Sequence, residues 1–209
     1  MPIGHIATAM DVDGSALGSE PVTETGDHVN NYTITLAAGL AGTLTTRTGD
    51  GVGVITMAAA GHGIAGADLV DVYWVGGARY AVTIDSLSGV GDVELTFDDT
   101  PAATGDVLPA DETAVIVCER VTVNTQIDGD NVKLFGVSCD QRSQITFYDA
   151  GDAIIKQYVL PVANAHASWY SQSQATNPLT GNPITYAKVS NGSTTAGTLK
   201  IRCLDDATP

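Results

Sequence analysis

Along most of the chain, apolar and polar residues alternate singly, and the alternating runs stop at Gly, Asp, Asn or Pro. A period of two marks strands with one buried face, joined by turns. In Asp92–Phe97, the residues Val93, Leu95 and Phe97 share one face, and Asp92, Glu94 and Thr96 share the other. Val121, Val123 and Ile127 oppose Arg120, Thr122, Asn124 and Gln126 in the same way, and Leu199, Ile201 and Cys203 oppose Thr198, Lys200 and Arg202. Further strands are predicted over Tyr32–Ala37, Val52–Met57, Leu69–Val75, Arg79–Leu87, Ala114–Glu119, Val132–Ser138, Gln144–Tyr148, Ile154–Leu160 and Ile184–Val189. Helical periodicity is nearly absent. One-sided strands of this kind favour antiparallel sheets with a wet face. Gly76-Gly77 predicts a tight hairpin, and Asp128-Gly129-Asp130-Asn131 predicts another between two later strands.

The expected fold is all-β, in three parts. Residues 1–30 are rich in Gly, Ser, Thr and acids without periodicity, and read as an extended N-terminal arm. Residues 31–119 form a compact run of strands that predicts a small antiparallel β-barrel. Residues 120–209 form a second run that predicts an antiparallel, jelly-roll-like β-sandwich. Pro101–Asp106 and Leu108-Pro109 read as a loop inside the first unit, because Ala114–Glu119 is apolar enough to close its core.

Charge sharpens this division. The 209 residues carry 24 acids and nine bases, a formal charge of -15. Met1–Thr100 holds 13 of those acids and only two of the bases, Arg47 and Arg79. So anionic a surface disfavours nucleic acid as a direct partner. The N-terminus lacks the basic and apolar regions of a signal peptide, and no run has the roughly 18 apolar residues of a membrane span. These features predict a soluble protein made in the cytoplasm. Cys118, Cys139 and Cys203 form an odd set without CxxC spacing, which argues for small core residues over a disulfide framework or zinc site.

Candidate chemistry is sparse. His5, His28, His62 and His166 form no HExxH or similar ligand pair, and no GxSxG elbow, P-loop or GxGxxG turn is present. Cys139 lacks a neighbour that would activate a thiolate. The chain is therefore expected not to be an enzyme, and no cofactor is expected. Asp11-Val12-Asp13-Gly14-Ser15 sets two carboxylates at alternating positions before a glycine, as calcium loops do. Ala16 and Val22 stand where an EF-hand needs its glycine and its bidentate acid, which favours a solvated turn over calcium at Asp11 and Asp13. Asp98-Asp99, Asp149/Asp152 and Asp205-Asp206 read likewise as turns. Trp169, Tyr170 and Gln172, followed by a long loop, combine stackable rings with amide donors, the chemistry of glycan contact. Trp74, sharing a strand face with Val70 and Val72, reads as core.

The segment Gly61-His62-Gly63-Ile64-Ala65-Gly66-Ala67-Asp68-Leu69-Val70-Asp71-Val72, with the hairpin Tyr73–Tyr80 behind it, resembles the HGL-x-x-GD-x-V-x-V segment of small β-barrel modules in bacteriophage tail and virion proteins. Ala67 stands where that family has glycine. The stretches Val137–Arg142, Ile145–Gly151 and Val189–Ala196 resemble the small β-sandwiches of phage virion accessory proteins. The resemblance implies a virion structural protein, foremost a capsid decoration or cement protein, with tail or head-to-tail accessory roles as alternatives. Its implied partners are further copies of itself, a trimer favoured, and the major capsid or tail proteins, through contacts made in part by the arm Pro2–Val29. A carbohydrate-binding module is the alternative from another class.

Overall fold

The computed structural model describes residues 28–98, 107–124, 132–168, 182 and 184–205, all in strands, turns and loops and none in a helix. The strands are β1 (His28–Leu36), β2 (Leu40–Arg47), β3 (Val52–Met57), β4 (Leu69–Trp74), β5 (Gly77–Thr83), β6 (Ser86–Ser88), β7 (Glu94–Asp98) and β8 (Thr113–Glu119). They continue as β9 (Val121–Asn124), β10 (Val132–Cys139), β11 (Ser143–Asp149), β12 (Ile154–Leu160), β13 (Ala165–Ser168), β14 (Ile184–Asn191) and β15 (Gly197–Asp205). Every pairing is antiparallel. Antiparallel all-β architecture is thus as the alternation predicts.

Seven strands make one sheet in the order β5-β4-β8-β2-β3-β7-β6. Its two edge strands are consecutive in the chain, separated only by Ile84 and Asp85. In a flat sheet those edges would lie about 29 Å apart, far beyond the reach of two residues. The sheet therefore curls into a half-barrel, its seam held by Asp85 N–H donating to the Thr96 carbonyl at 2.9 Å and Ile84 N–H to that of Asp68 at 3.0 Å. This crossing splits the single strand expected over Arg79–Leu87 into β5 and β6. Leu44, Ile55, Val70, Val72, Val82, Leu95, Phe97, Val115 and Val117 fill the concave side, and Trp74 joins them.

The other strands form two four-stranded sheets, β1-β15-β10-β13 and β12-β11-β14-β9. Their facing side chains share one core, with Leu36, Val137, Cys139, Leu199 and Ile201 from the first sheet meeting Ile145, Phe147, Tyr158, Ile184 and Val189 from the second. Strand β1, which chain order puts with the first run, is hydrogen-bonded to β15 from His28↔Asp205 to Leu36↔Gly197. The hairpin expected around Asp128–Asn131 is corrected: the turn itself lies outside the described residues, but β9 pairs with β14 and β10 with β15 and β13, so the flanking strands belong to different sheets. Val121 is also not core but 49% exposed.

At the β4–β5 hairpin the turn is Val75-Gly76, and Gly76 takes a φ of 90°. Gly77 serves differently, since a Cβ there would lie 2.6 Å from the Trp74 indole. The loop before β4 keeps a glycine-type turn at a residue that is not glycine: Ala67 has a φ of 70°. Left-handed backbone strains any residue carrying a Cβ. Ala67→Gly is accordingly expected to raise stability by about 0.5–1 kcal/mol, read as a higher urea midpoint; an unchanged or lower midpoint would contradict the strain.

Candidate functional site

The densest polar cluster of the described residues lies where the half-barrel meets the paired sheets. Alternation on β4 turns Val70, Val72 and Trp74 into the half-barrel core, so Asp71 and Tyr73 face outward. That outward face is not wet, for Asp71 and Tyr73 are both 0% exposed. The second unit covers them with Ser190 at the end of β14, Gly192 behind it and Arg142 ahead of β11, a strand itself buried along its whole length. The expectation of one-sided sheets is corrected at β4 and β11, which are buried on both faces.

Arg120 is the single residue between β8 of the first unit and β9 of the second. Its side chain is 7% exposed, and its Nε stands 3.3 Å from Asp71 Oδ1. Nη2 donates to Gln144 Oε1 at 2.9 Å and Thr146 Oγ1 at 3.3 Å, and Nη1 to the Tyr148 hydroxyl at 3.4 Å. Nε makes no hydrogen bond of good geometry, so its attraction to Asp71 is one of charge. Asp71 Oδ1 accepts the Ala81 N–H at 2.8 Å, and Oδ2 accepts the Ser190 hydroxyl at 2.5 Å. The Ala81 donor is aimed by a bulge: Val70 pairs with Val82 and Val72 with Arg79, leaving two residues opposite Asp71, and Ala81 has a φ of 57°. Because the one Ser190 proton points at Asp71, the Tyr73 hydroxyl donates to Ser190 Oγ, at 2.6 Å.

A second clamp lies beside the first. Arg142 Nη1 and Nη2 donate to the carbonyls of Trp74 and Gly77, each at 2.7 Å, gripping the β4–β5 hairpin on both sides of its turn. The same guanidinium lies 4.9 Å from the centre of the Tyr73 ring. Asn191 ties in the β1–β2 crossing, its Nδ2 donating to the Ala37 carbonyl at 2.8 Å, while its own carbonyl accepts the Cys118 thiol.

Burial dominates the titration of this cluster. It pushes the Asp71 carboxyl up, and the Arg120 charge and the Ser190 and Ala81 donors only partly offset it. The Tyr73 hydroxyl is held well above its ordinary value by burial and by the Asp71 charge, and the Cys118 thiol is raised for the same two reasons. A serine donating to a carboxylate resembles a nucleophile with its base. Here Ser190 is 1% exposed and spends its proton on Asp71 and its lone pair on Tyr73, so the arrangement fastens two units and presents no oxygen to a reactant.

The residues singled out from the sequence lie elsewhere. Trp169, Tyr170 and Gln172, Asp11 and Asp13, His5 and the arm before His28 fall outside the described residues. His62 accepts the Ile64 N–H on Nδ1 at 3.1 Å, so Nε2 carries the proton it donates to the Asp92 carbonyl at 2.8 Å: the ring clips two loops together. Asp149 Oδ1 caps the β11–β12 turn through the N–H groups of Gly151 and Ala153, both at 2.9 Å. Cys118 and Cys139 are free and buried. Among the described residues no three His, Cys, Asp or Glu side chains gather as metal ligands. The junction itself was missed because Asp71 and Arg120 occupy positions that alternation assigns to solvent; a large aromatic, Tyr73, on the supposedly wet face was the available signal. The chain matches no known protein family, no curated protein and no solved structure.

Proposed function

We propose that the chain is a structural component of a bacteriophage virion, acting by contact and not by catalysis, and foremost a capsid decoration or cement protein. In this reading the half-barrel is the small β-barrel module, the paired sheets are a jelly-roll-like sandwich, and residues before β1 are an arm that meets a neighbouring copy. The observation that carries it is the junction. Two β units share a buried ion pair and a seven-bond polar clamp through Asp71, Arg120, Arg142 and Ser190. Such a block keeps its shape while its edges bear load. Among the described residues strand β1 lies at a sheet edge, with His28 opposite Asp205, which would leave that edge open to a neighbouring copy. The Ala67 turn, with its glycine-like φ of 70°, supports the likeness to the virion barrel segment. Tail and head-to-tail positions fit the same features.

Purified particles from a culture carrying the gene test the reading. We expect the chain to co-sediment with particles in many copies each, released by mild denaturant before the shell opens. Recovery only in the soluble fraction of a particle-producing lysate would refute it.

A further inference from the structure

We propose that a groove at the waist of the molecule is the seat of the N-terminal segment Ile3–Met10 of a neighbouring copy, laid as an added strand beside β1; this rests on the assembly reading above. The groove holds about 240 Å³ and is lined by Leu36, Leu40, Val117, Val121 and Val189, with His62 and short stretches of backbone. That is below the usual size of a small-molecule site, but it admits a few aliphatic side chains.

Two sheet edges flank the groove. Among the described residues, β1 is hydrogen-bonded only to β15 and β9 only to β14, and Leu36 at the end of β1 and Val121 at the start of β9 both line the opening. A free edge beside an apolar slot suits an extended segment, whose backbone pairs with the edge while alternate side chains fill the slot.

The chain carries such a segment. Ile3-Gly4-His5-Ile6-Ala7-Thr8-Ala9-Met10 contains no acid, lysine or arginine, and Ile6 and Met10 share a face when extended. Between it and β1 lie Asp11–Asp27, with five acids, Asp11, Asp13, Glu20, Glu24 and Asp27, and no base. That tether reaches at most about 60 Å, roughly twice the length of β1, so a groove on an adjacent copy is within range. Lys200 of β15, exposed and paired opposite Thr33, would offer those acids a countercharge along that path.

The test uses two full-length forms, one carrying Ile6→Cys and an affinity tag, the other Val121→Cys, mixed and treated with a short bismaleimide. Val121 is 49% exposed, so the substitution spares the core. We expect a tagged product of twice 21.5 kDa that requires both new cysteines and falls at least tenfold when Met10→Asp is added to the first form. Cross-linking only within a single chain bearing both cysteines would overturn the exchange, and no product above that of the parent protein would overturn the docking. Light scattering on the same samples separates the two readings: assembly without the cross-link sinks the arm site alone, whereas monomers sink both.

Discussion

Replacing Arg120 with methionine is expected to destabilise the protein by about 3–5 kcal/mol at pH 8, the usual cost of stripping the partner from a buried charge. The substitution leaves the Asp71 carboxylate, 0% exposed, with only Ser190 and Ala81 as donors. The loss should depend on pH in a set direction. Burial already raises the Asp71 pKa above its ordinary 3.8, and Arg120 is the chief influence pulling it back, so the variant's pKa rises further. A carboxyl whose folded pKa is raised contributes most stability below its unfolded pKa, and that contribution is lost as pH climbs through the folded value. The gap between parent and Arg120→Met should therefore be widest at pH 8 and narrow as the pH falls and Asp71 takes up its proton. Adding Asp71→Asn to Arg120→Met should restore much of the loss, a coupling of about 2 kcal/mol or more. Urea unfolding across pH measures all three proteins; a gap that is flat or widens in acid would show that Asp71 is not the buried partner.

Gly39→Ala, at the crossing between β1 and β2, is the second large effect. An added Cβ would lie 2.5 Å from Ile116 Cγ2, 2.6 Å from Cys118 Sγ and 2.7 Å from the Asn191 carbonyl oxygen. The first two are side-chain atoms of the half-barrel and the third a backbone atom of the paired sheets, so both units must shift to make room. The Gly39 N–H also donates to the Ser193 carbonyl at 2.7 Å, which fixes the crossing in place. Overpacking of this kind costs about 1–3 kcal/mol. Gly49→Ala is the control, since a Cβ there meets only Val52, at 3.6 Å, and should change stability by less than about 0.5 kcal/mol. Equal urea midpoints for the two variants would contradict the tight waist.

Strand-level structure was largely legible in the sequence, and the exceptions have physical causes. Val52–Met57 and Ile154–Leu160 are strands over their predicted spans, the first with alternate residues buried along its whole length and the second with Tyr158 and Leu160 buried on one face. Strand β2 escaped because Gly42 occupies an inward position, against Ile55, and so breaks the apolar alternation. Strand β13 is four small or polar residues that, among the described residues, pair with β10 alone. Pairing partners were less legible: β1 and β15 lie at opposite ends of the sequence, and chain proximity favours joining β1 to its successor β2. The junction was least legible, since Asp71 and Ser190 are 119 positions apart and each alone reads as a solvent-facing residue. Burial of a second face is a property of two units together, and a period of two within either one carries no trace of it beyond the aromatic Tyr73 on the face assigned to solvent.

The reading of this chain as an assembly protein, working through edges, faces and an arm, is tested most directly by the mass of the full-length protein in solution, measured by light scattering behind size-exclusion chromatography over a range of concentrations. We expect a discrete species at a whole multiple of 21.5 kDa, three copies in the favoured case, that dissociates on dilution without unfolding. A single 21.5 kDa species at every concentration would contradict it.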